Sequence, residues 1–429
     1  MSYRHARPWL PRNRLDLRWH RSYAIKMALT FDEDLLLSIL SQPTVPFKEG
    51  HVIRRIREVL DQSAVPYFTD RVGNLVLGVA SEAEYRKLFK IKSTEPVRIF
   101  VAHLDHPGFH GAEWVGDGQA RLAVKWHGGT PYQELEGAPV WLADAEGWAG
   151  EGVIRNAVLA SHGRAIAISE VEVTQLNRPA TAASSLWGAF RFRAPAWKEG
   201  SLLYTKAADD LVGSFAIVSL ARELFKRRKK PSTQGPPAGN THPPFIGLLT
   251  RGEEVGFIGA IGHLELALYE GARRPVLAVS LETSRTLPGA DIGKGPIVRL
   301  GDRVSIFSPG ATEVLTGLAR KLLPGAYQRR IMDGGSCEGT ATTAYGLPTI
   351  AMSVPLGNYH NQSLEGGPDS RGPDGPAPEF VHLDDVRGLL LLCQAVMKPN
   401  LPWDRPWVTH RKEMKKRLQG ARALLRSGP

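Results

Sequence analysis

Four runs of apolar residues along the chain predict buried strands. They cover residues 96–104, 245–249, 275–281 and 348–354, and each is almost continuously apolar. Strands that are apolar on both sides of the pleat are typical of a parallel sheet covered on both faces. Segments with helical periodicity alternate with these runs, which predicts an α/β fold with a mostly parallel sheet. The predicted helices cover residues 31–40, 49–62, 209–225, 257–269, 312–322, 341–345 and 386–397.

The pattern changes between residues 112 and 198. Short alternating runs separated by Gly-rich breaks replace the helical periodicity there, for example RLAVKW at 121–126 and AIAISEVEV at 165–173. Alternation of this kind predicts antiparallel strands that are half buried. We therefore predict a small all-β insert domain at 112–198, which interrupts an α/β domain formed by residues 30–111 and 199–400.

The charge of the chain is concentrated outside these predicted domains. The 429 residues carry a formal charge of +11, with +6 in residues 1–29, +5 in residues 226–230 and +7 in residues 405–429. The remainder of the chain is therefore acidic. We predict a basic N-terminal extension at 1–29 and a basic C-terminal tail at 401–429, both solvated. Such tails attract anionic surfaces weakly, and no specific nucleic-acid partner is expected.

Composition favours a globular protein of the cytoplasm. Hydrophobic residues make up 42% of the chain and charged residues 23%, which is typical of such proteins. No apolar run approaches the ~20 residues of a membrane helix, so no membrane partner is expected. The two cysteines, Cys337 and Cys393, are far apart in sequence. They exclude a disulfide framework and a cysteine zinc site, and they suit a reducing compartment.

The stretch at 245–260, FIGLLTRGEEVGFIGA, brings chemistry to the end of a predicted strand. Its apolar run breaks at Arg251 and Gly252 and is followed by two adjacent acids, Glu253 and Glu254. Neighbouring carboxylates at the end of a buried strand repel each other and resist desolvation. The sequence therefore predicts a cationic group beside them.

Histidines and acids occupy equivalent places on other segments. The carboxyl ends of parallel strands meet at one edge of a sheet, where ligands of α/β proteins gather. The residues expected at this edge, besides the glutamate pair, are His103, Asp105, Asp209, Asp210, Glu282 and His360.

Each of these residues also has an ordinary structural explanation. The glutamate pair suits a helix N-terminus, the aspartate pair suits a helix N-cap, and Glu282 can pair with Arg285. His103 suits a buried position in the core, and His360 suits an ordinary position in a loop. The convergence of five separate segments on one edge nevertheless favours a shared site.

Two imidazoles together with carboxylates form a ligand set for zinc or a similar divalent ion. A bridging carboxylate allows two such ions to lie about 3.5–4 Å apart. We predict that His103 and Glu282 bind one ion, that His360 and Glu254 bind a second, and that Asp209 lies between them.

Two of the acids outside this ligand set, Glu253 and Asp105, are given other roles. Glu253 is predicted to be the general base, because an uncoordinated carboxylate beside a metal site can take a proton from water. Asp105 comes two residues after His103 and is predicted to accept the second N–H of that imidazole, which would orient the ring.

Except for Glu282, these residues lie in stretches that resemble the dinuclear metallo-aminopeptidases of the tetrahedral or glutamyl aminopeptidase type. This group is part of a wider clan of co-catalytic metallopeptidases. The order and spacing of the matching stretches agree between residues 30 and 400, and the β insert lies where the family places its insert domain. The stretches are AHLDHPGF (102–109), AADDLVGS (207–214), GEEVGFIGA (252–260), GKGPIVRLGD (293–302), DGGSCEGTATTAYGLPTIAMSVPL (333–356) and YHNQSLE (359–365).

The resemblance implies an activity and a set of roles. It implies a phosphorylase/hydrolase-like catalytic domain and an insert for dimerisation or substrate access. The implied enzyme is a metal-dependent aminopeptidase that removes N-terminal residues from short peptides with a water activated by two metal ions, zinc or alternatively cobalt or manganese. It implies the five ligands named above, Asp209 as the bridge, Glu253 as the base and Asp105 as the residue that orients His103. It also implies a homo-oligomer, either a dimer or a dodecamer.

The chain departs from the family pattern at several positions. Glu282 stands where the family usually has Asp, and Leu211 stands where it commonly has Arg. Ser336 and Cys337 replace a usual Thr-Asp pair, and Asn361 replaces Ser. None of these changes removes a predicted ligand. Cys337 is predicted to be a packing or pocket residue, because no activating partner is evident.

Two other hypotheses for the function are compatible with the same residues. An N-acyl amino acid deacylase or a carboxypeptidase would need the same dinuclear site with a different substrate. A non-catalytic binding protein could retain the fold and use its basic tails to contact anionic partners.

Overall fold

The fold is an α/β body and a β-barrel, seen in a computed structural model that describes residues 31–116, 118–129, 135–159, 166–226 and 242–426. The predicted N-terminal extension at 1–29 and the basic run and linker at 227–241 lie outside the described residues.

The helices of the body present apolar faces to the sheet. The described helices are α1 Glu33–Leu40, α2 Gly50–Gln62, α3 Glu82–Lys90, α4 Leu211–Lys226, α5 Ile258–Glu265, α6 Pro309–Leu322, α7 Glu338–Ala344, α8 Leu383–Val396 and α9 Val408–Arg426. In α2, Val52, Ile56 and Val59 recur at helical spacing and are buried, which is the pattern of a helix packed on one side. Helix α1 begins after Asp32, whose carboxylate accepts the Leu35 N–H at 3.0 Å. This bond satisfies one of the free donors of the first turn.

Eight strands form the main sheet of the body. In chain order they are β1 Tyr67–Thr69, β2 Leu75–Leu77, β3 Val97–His103, β12 Phe245–Thr250, β13 Val276–Arg285, β14 Ile297–Asp302, β15 Gln328–Met332 and β16 Thr349–Leu356. Their spatial order is β1-β2-β12-β3-β13-β16-β14-β15. The four central strands β12, β3, β13 and β16 are parallel, so their carboxyl ends lie at one edge.

Strand β3 shows why this sheet is stable. Phe100 and Ala102 pack on one face against a core formed with α1, α2 and α4, whereas Ile99 and Val101 pack on the other face with residues of α3. All seven residues of β3 are buried. Burial on both faces removes its apolar surface from water and explains the continuous apolar run in the sequence.

Six strands close into a barrel between β3 and the body's second half. They are β4 Gly108–Trp114, β5 Arg121–His127, β6 Pro139–Asp144, β7 Gly147–Leu159, β8 Ile166–Leu176 and β9 Trp187–Phe190, in the spatial order β4-β5-β8-β7-β6-β9. The barrel encloses its own core, which includes Phe109, Trp126 and Phe190. Gly188 has no substitute there, since a Cβ would lie 2.0 Å from the carbonyl oxygen of Trp141.

A smaller sheet supports the body beside the barrel. It contains β10 Ala196–Glu199, β11 Leu202–Thr205 and β17 Glu379–His382 in that spatial order, with antiparallel pairing. The pairing of β11 with β17 places Thr205 opposite Glu379. It thereby joins the segment before α4 to the segment before α8.

The α/β prediction is confirmed, and the four predicted buried strands are present as β3, β12, β13 and β16. The main sheet is more mixed than predicted, because β2 pairs antiparallel with β12 and β14 pairs antiparallel with β16. The predicted helix at 209–225 begins later, at Leu211. Helix α3 and strands β14 and β15 were not predicted.

The C-terminal tail was predicted to be basic and solvated, with no prediction of its secondary structure. Residues Val408–Arg426 form helix α9, and none of its residues is buried. The tail is therefore helical and also exposed. Within the described ranges, no helix combines the length and the apolar character needed to cross a membrane.

Candidate metal centre

The predicted site residues converge at the carboxyl edge of the central strands. His103 is the last residue of β3, Glu282 lies in β13, and the glutamate pair at 253–254 follows β12. His360 lies in the short 3-10 helix Tyr359–Asn361 after β16, and Asp209 directly precedes α4. Together these residues line a cleft with about 450 Å³ of empty volume, except that Glu254 is not among its lining residues.

Asp209 lies between the two histidines. Its Oδ1 is 3.5 Å from Nε2 of His103, and its Oδ2 is 3.7 Å from Nε2 of His360. Each carboxylate oxygen therefore faces a different imidazole. Glu254 completes one side, with its Oε2 3.1 Å from Nε2 of His360.

Glu253 and Glu282 complete the other side of the centre. Oε2 of Glu253 lies 3.8 Å from Nε2 of His103. Ligand atoms of His103, Glu253 and Glu282 all lie within 4.8 Å of one another, and the same holds for His103, Asp209 and Glu254. All the predicted site residues are thus brought together, and two overlapping groups of potential ligands share His103.

Both imidazoles have the hydrogen bonds expected of metal ligands. Nδ1 of His103 lies 3.1 Å from the carbonyl oxygen of Asp105, and Nδ1 of His360 lies 2.6 Å from the carbonyl oxygen of Gly129. A carbonyl oxygen can only accept, so each Nδ1 carries the proton and donates. Each Nε2 faces the carboxylates, as in histidines that bind a metal through one nitrogen.

The hydrogen bonds of Asp105 differ from the prediction. Its carboxylate accepts the backbone N–H groups of Glu253 at 3.0 Å and Glu254 at 3.1 Å. The same carboxylate is 3.7 Å from Nδ1 of His103, which is beyond hydrogen-bond distance, and the ring bonds to the main-chain carbonyl of Asp105. Asp105 therefore fixes the turn that carries the two glutamates.

The ordinary explanations apply to some residues of the site and not to others. Asp210 does cap α4, since its Oδ1 accepts the Gly213 N–H at 3.1 Å, and it also accepts the hydroxyl of Thr283. The glutamate pair lies in the turn before α5, which begins at Ile258. Glu282 lies 4.0 Å from the guanidinium of Arg299, in place of the Arg285 pairing considered from the sequence.

Burial and mutual repulsion raise the pKa values of the three glutamates of the centre, Glu253, Glu254 and Glu282. Burial raises the pKa of Glu253 well above its ordinary value, and the charges of Glu254 and Glu282 raise it further. Burial also raises the pKa of Glu282, with Asp210 adding to the effect. A divalent cation in the centre would favour the ionised forms, because opposite charge lowers the pKa of a carboxyl.

The same carboxylates favour the charged form of the two histidines. Burial lowers the pKa of His360, but the Glu254 carboxylate beside it outweighs this and raises the pKa to about 9. Burial likewise lowers the pKa of His103, and Glu253 and Asp209 raise it well above the ordinary value. In both cases a proton on the ring takes the place that a metal ion would fill, so metal binding would release protons.

The residues of the centre fit a divalent metal on two counts. First, Asp209 Oδ1, Glu254 Oε1 and Glu282 Oε1 are buried without a hydrogen-bond partner among the described residues, and such orphaned oxygens are costly. Second, two ligand atoms that each bind zinc at about 2.0–2.1 Å in tetrahedral geometry lie about 3.3 Å apart. The separations of 3.5 and 3.7 Å from the Asp209 oxygens to the two histidines, and of 3.1 Å between Glu254 and His360, are close to that value.

Two residues that the sequence did not single out contact the backbone of Asp209. Nδ1 of His106 lies 2.9 Å from the Asp209 carbonyl, and burial lowers the pKa of His106 to about 3, so the neutral ring donates one N–H there. Glu379 accepts the Asp209 N–H at 3.1 Å. A lone acidic residue at the start of the apolar stretch EFVHL was the only sign of Glu379 in the sequence.

Cys337 has the packing role that the sequence predicted. Its side chain is buried against Phe307 and Ala351. Burial raises its pKa well above the ordinary value, so the thiol stays protonated and is a poor nucleophile. Its neighbour Ser336 lines the cleft.

A family model supplies the identification. The model of the M42 glutamyl aminopeptidase family matches residues 87–364, which is more than half of the chain. The chain belongs to this family. Membership confirms the resemblance predicted from the motifs and identifies the protein as a metal-dependent aminopeptidase. No curated protein matches the chain in sequence.

Solved structures share the fold of this M42 family member at low sequence identity. The TET1 peptidase of Pyrococcus horikoshii has a TM-score of 0.62 and 19% identity, and the match covers 86% of this chain and 99% of that chain. An aminopeptidase from the archaeon Desulfurococcus kamchatkensis has a TM-score of 0.64 and 20% identity, over 86% and 95% of the two chains. A TET aminopeptidase from a marine sediment Thaumarchaeota archaeon has a TM-score of 0.63 and 17% identity, over 86% and 97%.

Proposed function

We propose that this aminopeptidase uses two divalent metal ions to remove N-terminal residues from short peptides. The observation that supports this most strongly is the position of Asp209, whose two carboxylate oxygens face the Nε2 atoms of two different histidines. A carboxylate placed in this way suits a bridge between two ions. His103 and Glu282 would hold one ion and His360 and Glu254 the other, with zinc as the first candidate and cobalt or manganese as alternatives.

The residues of the chain divide the remaining work of peptide hydrolysis. When bound, the ions would polarise the peptide carbonyl and acidify water. Glu253 lines the cleft beside His103 and is left outside the proposed ligand set. It would accept the proton of the attacking water and then pass it to the leaving amine, which is the normal task of a general base that becomes a general acid. Asp105 would hold Glu253 in place through its backbone N–H.

The barrel is proposed to act in dimerisation or substrate access, as the family resemblance implies. The carbonyl of Gly129, in the segment after β5, accepts the Nδ1–H of His360. The barrel segment therefore contributes directly to the orientation of a proposed ligand.

We also propose that the protein is a homo-oligomer, since the TET1 peptidase of Pyrococcus horikoshii assembles into a tetrahedron or an octahedral shell. Two free, buried cysteines suit the proposed cytoplasmic location.

The substrate assignment is tested with three matched sets of compounds. The first is a panel of aminoacyl 4-nitroanilides with free amino groups, the second is the same panel with acetylated amino groups, and the third is a set of N-blocked dipeptides with free carboxylates. We expect release only from the free-amine panel, and the panel also ranks the preferred side chain. Release of acetate from the acetylated compounds would contradict the proposal and indicate a deacylase, and cleavage of the blocked dipeptides alone would indicate a carboxypeptidase.

A further inference from the structure

Glu379 is a buried carboxylate beneath the metal centre that the mechanism above does not use. It is the first residue of β17 and is 0% exposed. The match to the family model ends at residue 364, so Glu379 lies beyond the stretch that the match covers. Its contacts show what it does in the fold.

Both oxygens of Glu379 accept hydrogen bonds from backbone donors. Oε2 accepts the N–H of Ala208 at 2.6 Å and the N–H of Asp209 at 3.1 Å. Oε1 accepts the N–H of His360 at 2.8 Å. One carboxylate therefore ties together the segment before α4 and the segment after β16, which are about 150 residues apart in sequence.

The two segments carry the proposed bridge and one proposed terminal ligand. Asp209 supplies the oxygen that faces His360, and His360 has a positive φ of 54°. A non-glycine residue in the left-handed region persists only where its surroundings hold it. The bond to Glu379, the bond to Gly129 and the stacking on Tyr359 at 3.8 Å between ring centroids provide that support.

Opposing effects act on the Glu379 carboxyl: burial and the Asp209 charge raise its pKa to about 8, against the His360 ring and the backbone N–H donors of Asp209 and Ala208, which lower it. The charge of Glu379 raises the pKa of the buried Lys206 side chain nearby, although burial outweighs this and lowers that pKa to about 7. Three N–H donors converge on two oxygens, so a carboxylate is the group that can accept from all of them. An amide of the same size would turn an NH2 group towards at least one N–H donor.

We propose that Glu379 is a positioning residue that sets the separation between Asp209 and His360 and thereby builds the second metal site. The proposal rests on the two-metal function proposed above. It concerns the ion held by His360 and Glu254, because Glu379 contacts the backbone of His360. The site formed by His103 and Glu282 includes only one residue that Glu379 contacts, which is Asp209.

The test is calorimetric titration of the metal-free, full-length protein with Zn²⁺. In the wild type we expect two ions per chain. In Glu379→Gln we expect the first ion to bind within about threefold of the wild-type affinity and the second to bind at least tenfold more weakly, since residues that orient metal ligands typically change affinity by about 10–100-fold. Glu379→Asp keeps the charge but is too short to reach both segments, so it should also weaken the second ion selectively.

Glu365→Gln is the matched control. Glu365 also accepts a backbone N–H, that of Asn358 at 2.6 Å, but it is exposed and bonds to neither Asp209 nor His360 among its recorded contacts. It is the last residue of the stretch YHNQSLE, which resembles the family pattern. We expect the control to bind both ions as the wild type does.

The outcomes separate this proposal from the proposed function. Wild-type binding of fewer than two ions would overturn the two-metal function itself. Two ions in the wild type, together with unchanged binding in both Glu379 variants, would overturn only the role of Glu379. Equal weakening of both ions, or loss of folding in both variants by circular dichroism, would show a general structural role and would also overturn it.

Discussion

At the scale of single residues, the adjacent glutamates of the centre offer a test of the division between base and ligand. Glu253 lies beside His103, whereas Glu254 lies 3.1 Å from His360. We expect Glu253→Gln to keep both metal ions and to lower kcat by at least about 100-fold, because general acid–base catalysis contributes about 10²–10⁴-fold. Glu254→Gln should instead weaken binding of one ion. Elemental analysis and steady-state kinetics of both variants check this.

The two variants are controls for each other, since the substitutions are identical and the positions adjacent. Full turnover in Glu253→Gln would remove Glu253 from the role of base. Loss of metal from that variant, with retention by Glu254→Gln, would exchange the two assignments.

Asp105 is expected to act through the glutamate turn. In Asp105→Asn one of the two backbone N–H groups, of Glu253 or Glu254, would lose its acceptor. A buried donor without a partner costs about 1–3 kcal/mol. We therefore expect the free energy of unfolding, measured in denaturant, to fall by that amount, and we expect kcat to fall as well. Asp404→Asn, at an exposed position, should leave both quantities unchanged. Equal stability and activity in the two variants would contradict this role for Asp105.

The sequence was sufficient to bring the candidate ligands together, because each follows a strongly apolar strand or begins a helix. His103, Glu282 and the glutamate pair are examples. It was not sufficient to find Glu379, whose role arises from backbone bonds to segments far away in the chain.

At the scale of secondary-structure elements, predictability followed burial. Strand β3 is buried at all seven positions and is therefore visible as a continuous apolar run. Strand β15 lies at the edge of the sheet and has the sequence QRRIM, in which intermediate and exposed positions alternate. Its two arginines conceal the strand, because solvent rather than the core faces them.

Helix α9 is the element with the weakest attachment to the described body. None of its residues is buried, and near its start His410 lies 3.6 Å from Glu313 of α6. We expect deletion of residues 411–429 to leave Tm within about 2 °C of the wild type, because exposed residues contribute little to stability. Differential scanning calorimetry provides the measurement.

A buried residue of α8 supplies the contrast for that deletion. Leu390 is 2% exposed, so Leu390→Ala should cost about 2–5 kcal/mol through the cavity it leaves. A deletion that lowers Tm as much as Leu390→Ala would show that α9 packs on the folded protein.

At the scale of the whole molecule, the proposed assembly is open to a direct measurement. We expect light scattering after size-exclusion chromatography to give a mass at least twice the 47.0 kDa of one chain. The acidic remainder of the chain and its basic ends provide attraction between copies that salt would screen. A mass of one chain at micromolar concentration and at both low and high salt would contradict the proposal of a homo-oligomer.

The central claim is that two metal ions held around Asp209 carry out the hydrolysis, and metal content paired with activity tests it most directly. The purified full chain is analysed for bound elements, and hydrolysis of the free-amine panel is measured before chelation, after chelation and after zinc, cobalt or manganese is restored. We predict about two metal ions per chain, loss of release on chelation and recovery on reconstitution. Activity that survives complete removal of metal, or a reconstituted chain that binds none, would contradict the account.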